Sequence, residues 1–120
     1  MKILLIWSQF YNRMLTINRI VNMYREGVQV RMARKPHPHR LKGEYDPSTM
    51  EVILYTCSME SGFDRDLTLL HELVHAHGKV KAARGLKREN EEFQVELEAL
   101  RTYLRRPHVL IFAKELYNIK

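Results

Sequence analysis

The chain has 120 residues, a single cysteine and a formal net charge of +6 at neutral pH, and 45% of its residues are hydrophobic. This length supports one domain with its own core, so we expect residues 1–120 to form a single domain. A lone cysteine, Cys57, excludes an internal disulfide and fits a reducing cytoplasm, and we expect it to be a small buried residue.

The first predicted element is a long amphipathic helix that ends near Gly27. Its first apolar run has only five residues before Ser8, too few for a signal sequence or for a membrane span of about 20 residues. We expect this helix to cover one face of a sheet, with a coiled-coil contact between two copies as the alternative. The apolar residues recur at alternating spacings of four and three, as on one helix face: Ile3, Trp7, Phe10, Met14, Ile17, Val21 and Tyr24.

A small sheet is predicted between residues 28 and 56. Val28, Val30 and Met32 alternate with polar residues and indicate a first strand. Two further runs, 43–45 and 50–56, flank a turn-forming Asp-Pro-Ser-Thr sequence and predict a hairpin. We therefore expect three strands in a mainly antiparallel sheet.

A basic segment lies between the first strand and the hairpin. Its charge allows contact with nucleic acid or acidic partners, but no aromatic and basic RNA-binding pattern accompanies it. Solvated surface charge is therefore the expected role, and nucleic acid is not an expected partner. We expect His37 and His39 to be exposed. The basic residues are Arg31, Arg34, Lys35, Arg40 and Lys42.

The stretch LLHELVHAHG contains the motif H-E-x-x-H, formed by His71, Glu72 and His75. Two histidines four residues apart lie one above the other on a helix, so both imidazoles can reach one metal ion. Zinc accepts such nitrogens and keeps a position for water in catalytic sites. Glu72 is rotated by about 100° from His71, where its carboxylate can act as a general base on water.

The sequence around the motif predicts how its helix lies in the fold. Leu67, Leu70 and Val74 recur at helical spacing and indicate a core side opposite the histidines. Asp64 or Asp66 is the expected N-cap. Position 81 is a lysine, which does not complete the longer metal motif of the metzincins. We expect His77 to be solvated or to support a metal ligand indirectly.

The third metal ligand is expected on a downstream helix within residues 89–104. Glu92 and Glu96 project beside an apolar stripe at four-residue spacing, and a carboxylate at the border of a core is costly unless it is paired or bound to metal. Either acid could supply the ligand, with Glu89 as a lesser alternative and a solvated acidic face as the other interpretation. The stripe is expected to pack on the core and consists of Phe93, Leu97, Leu100 and Leu104.

Glu92, Val95, Glu96 and Ala99 resemble the E-x-x-A-D-x-x-A element of the gluzincin metallopeptidases. In that family the first glutamate binds zinc and the following acid orients a zinc-bound histidine. Here valine replaces the first alanine and glutamate replaces the aspartate. With the H-E-x-x-H motif, the resemblance covers roughly residues 41 to 105 and is nearest to the minigluzincins.

The resemblance implies a minimal zincin fold of the α+β class, with zinc as the cofactor. It assigns His71, His75 and Glu92 to the metal, Glu72 to general-base catalysis and Glu96 to the orientation of a histidine. The implied activity is hydrolysis of peptide bonds in peptides or unfolded proteins by a cytoplasmic zinc endopeptidase. The alternative is a regulatory or nucleic-acid-associated protein that retains the gluzincin fold without hydrolysing peptides.

The segment 107–120 begins with Pro107, which is expected to end the glutamate helix. An apolar pattern follows and predicts a last short helix that closes the core. The minigluzincins are held latent by their C-terminal segments, so occlusion of the cleft is the alternative role of this segment. We expect a monomer or a weak homo-oligomer with no membrane partner. His108 and Tyr117 are only weak candidates for stabilising an oxyanion.

Overall fold

The computed structural model of the protein describes residues 14–83 and 92–119. Within these residues it shows an α+β fold with four α-helices and a small three-stranded sheet. The elements in chain order are α1 (Ile17–Glu26), β1 (Gln29–Ala33), β2 (Gly43–Asp46), β3 (Glu51–Tyr55), a short 3-10 turn (Thr56–Ser58), α2 (Gly62–Ala83), α3 (Glu92–Arg105) and α4 (Pro107–Leu116).

The sheet is mixed, with β3 at its centre and the strand order β1-β3-β2. The predicted hairpin is confirmed, since β2 and β3 pair in antiparallel orientation with Tyr45 opposite Val52. The prediction of a mainly antiparallel sheet is wrong, because β1 pairs with β3 in parallel orientation and sets Val30 opposite Val52. The hairpin occupies one edge of β3, so β1 adds to the other edge. Alternation of apolar residues predicts a strand but carries no information about its direction.

Helix α1 ends where the sequence predicts and begins later. Gly27 has a φ of 106°, a left-handed conformation that favours glycine, and its N–H contacts the Tyr24 carbonyl at 3.1 Å. Thr16 is extended, and its hydroxyl accepts a hydrogen bond from the Arg19 N–H at 3.2 Å. The prediction of one continuous helix from Ile3 is therefore wrong, because the backbone is not helical at Thr16. The part of that prediction that falls on residues 1–13 lies outside the described residues.

Helix α2 begins at Gly62, two residues before the earlier of the two predicted caps. The Ser61 hydroxyl accepts a hydrogen bond from the Asp64 N–H at 3.2 Å, and the Asp64 carboxylate accepts one from the Glu60 N–H at 3.2 Å. Ser61 is thus the cap, and the prediction of Asp64 or Asp66 is wrong. Asp64 instead places a negative charge in the first turn, where it stabilises the helix. The core side of α2 contains Leu69, Leu70, Leu73 and Val74.

Helix α3 packs against α2 with a face different from the predicted one. The stripe of Phe93, Leu97, Leu100 and Leu104 was expected in the core, yet Phe93 is 76% exposed and Leu104 is 67% exposed. Three of the four buried residues are small or short, which lets two helix axes approach closely, and the fourth is Glu98. The residues of α3 that are buried are Val95, Glu98, Ala99 and Thr102.

Helix α4 closes one side of the core. Pro107 occupies its first turn, where the missing N–H costs nothing. Val109, Leu110 and Ala113 are buried in the core formed with α1 and α3. The Tyr117 hydroxyl donates a hydrogen bond to the Val28 carbonyl at 3.0 Å and so ties the end of the tail to the start of β1. No helix among the described residues has both the length and the apolar content of a membrane span.

Candidate metal centre

The helix α2 carries His71, Glu72 and His75 on the side that faces α3 and β2. The rings of His71 and His75 lie one turn apart in an edge-to-face arrangement, with their centroids 5.0 Å from each other. One ligand atom from each of the three residues lies within 4.8 Å of the others. His71 and Glu72 are buried and His75 is half-buried. This group could therefore hold a metal ion.

Glu92, the first residue of α3, brings one carboxylate to both histidines. Its Oε1 lies 2.6 Å from the Nε2 of His71, and its Oε2 lies 3.0 Å from the Nε2 of His75. The two nitrogens thus point at one position between the helices. The structure brings together the three residues for which the sequence predicts metal binding.

Glu96 contacts the opposite side of the His71 ring. Its Oε2 lies 3.3 Å from Nδ1 of His71, while Nε2 of the same ring faces Glu92. If a metal were bound at Nε2, a carboxylate at Nδ1 would select the tautomer that leaves the lone pair on Nε2. Because Glu96 is one turn beyond Glu92 on the same helix, the two carboxylates hold the imidazole from both of its nitrogens.

The protonation of this cluster is set mainly by burial. Burial raises the pKa of Glu72 to about 7, and the negative charges of Glu92 and Glu44 add to the rise. Burial also lowers the pKa of His75, which keeps the ring neutral and able to bind metal. Partial burial opposes ionisation of Glu92, but hydrogen bonding with His71 and electrostatic interaction with the two histidine side chains outweigh it and lower the pKa of that carboxyl.

The donor set fits a divalent metal. Two imidazole nitrogens and one carboxylate are the protein ligands of many catalytic zinc sites, whereas magnesium and calcium prefer oxygen ligands alone. His75 is kept neutral and Glu92 ionised, which are the forms that bind metal. The residues present are thus compatible with zinc at this position.

A cavity of about 400 Å³ adjoins the cluster. One wall is the chain leading into β2, which is an edge strand of the sheet, and the other walls are α2 and α3. Lys42 in this wall pairs with Asp64 of α2, with Nζ and Oδ1 3.0 Å apart. The lining residues are Arg40, Leu41, Lys42, Gly43, Asp64, Leu67 and Thr68, together with His71, Glu72, Glu92 and Glu96.

Gly43 allows β2 to lie directly against α2, the helix that carries His71, Glu72 and His75. A Cβ atom at this position would stand 2.7 Å from Cγ2 of Thr68 and 3.2 Å from Cγ of Glu72. Neither Gly43 nor the nearby Glu44 was singled out in the sequence. The only indication in the sequence that β2 approaches α2 closely is a glycine at the first position of the strand.

Replacing Gly43 with alanine is therefore expected to push β2 away from α2. We expect the free energy of unfolding to fall by about 1–3 kcal/mol, as for other overpacked sites. Chemical denaturation measures this, with Gly62→Ala as the control because a Cβ there meets nothing within 4 Å. Equal stability of the two variants would contradict the close packing of β2 on α2.

Several predicted residues lie elsewhere or in other surroundings. His77 is 6% exposed, so the prediction of a solvated side chain is wrong. His37 is half-buried, with its ring 5.3 Å from that of Tyr55, whereas His39 is exposed as predicted. Cys57 is exposed in the turn after β3, so the expectation of a buried thiol is wrong. The 3-10 turn directs this residue outward although the apolar strand before it is buried.

The weak candidates for oxyanion stabilisation do not line the cavity. His108 is exposed on α4, and the Tyr117 hydroxyl is hydrogen-bonded to the backbone of Val28. Glu89, the alternative ligand, lies outside the described residues. Among the described residues, the site is therefore formed by α2, α3 and the chain leading into β2.

Comparison of the chain with protein-family models, with curated proteins and with solved structures finds no match. The protein is therefore classified from its own fold and candidate site. It is an α+β protein in which a His-Glu-His group on one helix could hold a metal ion.

The raised pKa of Glu72 has a consequence for the metal-free protein. The folded state favours the protonated carboxyl, so the wild type loses stability as the pH rises from the ordinary pKa of 4.5 to about 7. We expect Glu72→Gln to remove this loss and to be more stable than the wild type at pH 8 by about 1–3 kcal/mol. At pH 4 the two proteins should be nearly equal.

Denaturation in the presence of a chelator, at several pH values, measures this difference. Glu115→Gln is the matched control, because Glu115 is an exposed carboxylate on α4. A stability difference between Glu72→Gln and the wild type that does not change with pH would contradict a buried carboxyl with a raised pKa.

Proposed function

We propose that the protein is a zinc-dependent metallopeptidase of the gluzincin type with a minimal zincin fold. In this proposal His71, His75 and Glu92 hold the ion. The supporting observation is the contact of one carboxylate of α3 with Nε2 of both motif histidines, at 2.6 and 3.0 Å. A zinc ion bound there supplies a Lewis acid that polarises a carbonyl and lowers the pKa of water.

Glu72 is the proposed general base. The residue is 6% exposed and lines the cavity next to the histidine pair. A buried carboxyl of raised basicity accepts a proton from the attacking water and delivers it to the leaving amine. Neither step needs Glu72 to act as a metal ligand. This explains why a catalytic site requires the residue and a purely structural metal site does not.

Glu96 is the proposed positioning residue. Its carboxylate lies 3.3 Å from Nδ1 of His71, where it would accept the Nδ1–H and keep Nε2 directed at the position between the helices. Glutamate has one more methylene than the aspartate of the gluzincin element, and α3 lies close enough to α2 for this longer side chain to reach the ring.

The substrate we propose is an extended peptide that pairs with β2. Of the two edge strands, β2 borders the cavity and β1 does not. The inner side of β2 already pairs with β3, so its outer side can accept a further strand. Pairing through main-chain groups would hold a peptide beside Glu72 with little dependence on its sequence, which suits peptides and unfolded proteins.

The alternative of a nucleic-acid-associated protein gains no support from the basic segment. The Nε of Arg31 lies 3.1 Å from Oε2 of Glu51, and the Nζ of Lys42 lies 2.9 Å from Oδ2 of Asp64. These two members of the predicted basic cluster are thus already neutralised by carboxylates. Solvated and paired surface charge accounts for them.

Metal content and hydrolysis together test the proposal. We expect one zinc ion per chain by elemental analysis, together with cleavage of casein that a chelator abolishes and zinc restores. A chain that binds no zinc would overturn the proposal. A chain that is fully loaded with zinc but cleaves neither casein nor an unfolded protein would favour the regulatory alternative.

Removing residues 107–120 is expected to lower stability by at least about 3 kcal/mol, because Val109, Leu110 and Ala113 leave the core. We expect no rise in activity per folded, zinc-loaded molecule, because α4 packs on α1 and α3 rather than lining the cavity. Thermal unfolding and casein cleavage measure the two effects.

Leu110→Ala is a milder change than the truncation, and Ile111→Ala is its control because Ile111 is exposed. A rise in specific activity after truncation would support occlusion of the cleft by the tail.

A further inference from the structure

The cavity beside the candidate metal centre has two cations in its wall, Arg40 and Lys42, both in the chain that leads into β2. The two differ in their partners. The Nζ of Lys42 lies 2.9 Å from Oδ2 of Asp64, so a carboxylate of α2 already neutralises this ammonium group. Arg40 is exposed, and among the residues that the structure describes its guanidinium forms no ion pair. Of the two cations, Arg40 is therefore the one that is open to a ligand.

The other carboxylates that line this cavity are engaged within the protein. Glu92 contacts Nε2 of both motif histidines, and Glu96 lies 3.3 Å from Nδ1 of His71. Glu72 is buried. The planar guanidinium of an arginine offers two parallel donors that match the two oxygens of a carboxylate. An acidic group brought in by a ligand is thus the partner that Arg40 fits best.

A short turn holds Arg40 in place. Its N–H donates a hydrogen bond to the His37 carbonyl at 2.8 Å, and its φ of 56° is a left-handed conformation that is uncommon for a residue with a side chain. The His37 ring lies 5.3 Å from that of Tyr55, and its Nε2 lies 3.6 Å from Oε2 of Glu44. A backbone in a sparsely populated conformation persists where its surroundings hold it, and such residues are frequent at ligand sites.

A second cavity of about 400 Å³ also borders Arg40. Its other lining residues are Pro36, Cys57 and Ser58, so none of the described residues in this lining is acidic. A side chain that reaches the guanidinium from the metal side therefore has room beside Arg40 and meets no carboxylate in the second cavity.

The chain between Arg40 and Gly43 sets the distance of Arg40 from Glu72. Gly43 lies against Glu72, since a Cβ atom at Gly43 would stand 3.2 Å from Cγ of that glutamate. Arg40 precedes Gly43 by three residues, which span at most about 11 Å. An extended peptide rises by about 3.3 Å per residue. A peptide side chain that meets Arg40 thus belongs to a residue within about three positions of the bond beside Glu72.

We propose that Arg40 is a specificity-determining residue, which binds an aspartate or glutamate side chain of the substrate within about three residues of the cleaved bond. This inference rests on the proposed peptidase function and narrows its substrate class to peptides with an acidic residue near that bond. Main-chain pairing along β2 aligns any extended peptide, whereas the charge-assisted pair with Arg40 selects among peptides by their side chains.

Variants of one casein decapeptide, in which each position in turn is aspartate, asparagine or lysine, test this preference. At one position near the cleaved bond, we expect aspartate to raise kcat/KM by about 3–10-fold over asparagine, its uncharged counterpart. Arg40→Gln should abolish this gain, and Arg40→Lys should keep part of it because the charge remains. Arg40→Glu should reverse the preference, so that lysine at the same position is cleaved faster than aspartate.

Arg34→Gln is the matched control, because Arg34 is an exposed arginine of the same basic segment and lines neither cavity. This variant should leave the preference for aspartate and the turnover of the asparagine peptides unchanged. Circular dichroism checks that each variant is folded. A loss of the preference in Arg34→Gln equal to that in Arg40→Gln would overturn the proposal, because the general positive charge of the segment would then explain it.

Peptide binding separates this inference from the proposed peptidase function. Fluorescence anisotropy of the labelled peptides measures their affinity without any cleavage. A protein that cleaves no peptide, yet binds the aspartate peptide more tightly than the asparagine peptide and loses this difference in Arg40→Glu, would support the role of Arg40 and overturn the peptidase function. Cleavage of the aspartate and asparagine peptides with equal kcat/KM, or a preference that survives Arg40→Glu, would overturn the role of Arg40 alone.

Discussion

Replacing Glu72 with glutamine is expected to reduce peptide hydrolysis by at least about 10²–10⁴-fold while the metal stays bound. Glutamine keeps the size of the side chain but cannot accept the proton of the attacking water. The histidines and Glu92 remain in place, because Glu72 extends from the same turn of α2 without bridging them. Casein cleavage and zinc content, measured on the same preparation, test this expectation.

The control for this experiment is a carboxylate outside the cavity. Glu115→Gln removes an exposed negative charge from α4 and should leave both zinc content and turnover unchanged. Near-normal hydrolysis by a zinc-loaded Glu72→Gln protein would show that another group accepts the proton. Loss of the metal together with activity would instead assign Glu72 to metal binding.

Replacing Glu92 with alanine is expected to weaken zinc binding by more than about 100-fold. This exceeds the roughly 10–100-fold effect that follows the loss of a residue behind a metal ligand. The reason is the contact of both carboxylate oxygens with the two motif histidines, at 2.6 and 3.0 Å. Competitive titration against a metal-binding dye measures the dissociation constants.

Two further variants are needed to interpret the result for Glu92→Ala. Glu96→Ala should weaken binding less than Glu92→Ala, because Glu96 contacts only Nδ1 of His71. Glu89→Ala should leave binding nearly unchanged. If Glu89→Ala loses the metal and Glu92→Ala keeps it, the ligand lies one turn earlier than the structure indicates. If neither variant changes the affinity, the acidic end of α3 is only a solvated surface.

The sequence predicts those features of the candidate site that lie within a single helix. The positions of His71 and His75 on one face follow from helix geometry, and so does the pairing of Glu92 with Glu96. The contact between the two helices does not follow from either pattern alone. The resemblance to a known element suggested it, and the structure shows the distances.

The same limit explains the errors in the predicted fold. Helical spacing identifies a row of apolar residues on α3, but it cannot say which of two opposite faces of the helix packs on the core. The row consists of Phe93, Leu97, Leu100 and Leu104. The face that α3 buries contains Val95, Ala99 and Thr102 together with Glu98, and the row of larger apolar side chains is mostly exposed. Likewise, the extended backbone at Thr16 interrupts an apolar period that continues through it in the sequence.

The amino-acid sequence alone determined the strands, the hairpin turn, the glycine that ends α1 and the H-E-x-x-H motif, because each of these features depends on neighbouring residues. Only the tertiary structure decided the direction of β1, the face that α3 buries, the exposure of Cys57 and the approach of Gly43 to Glu72. Those features depend on which distant surfaces fit together at close range. Such contacts are set by shape and volume in three dimensions, which a one-dimensional pattern does not contain.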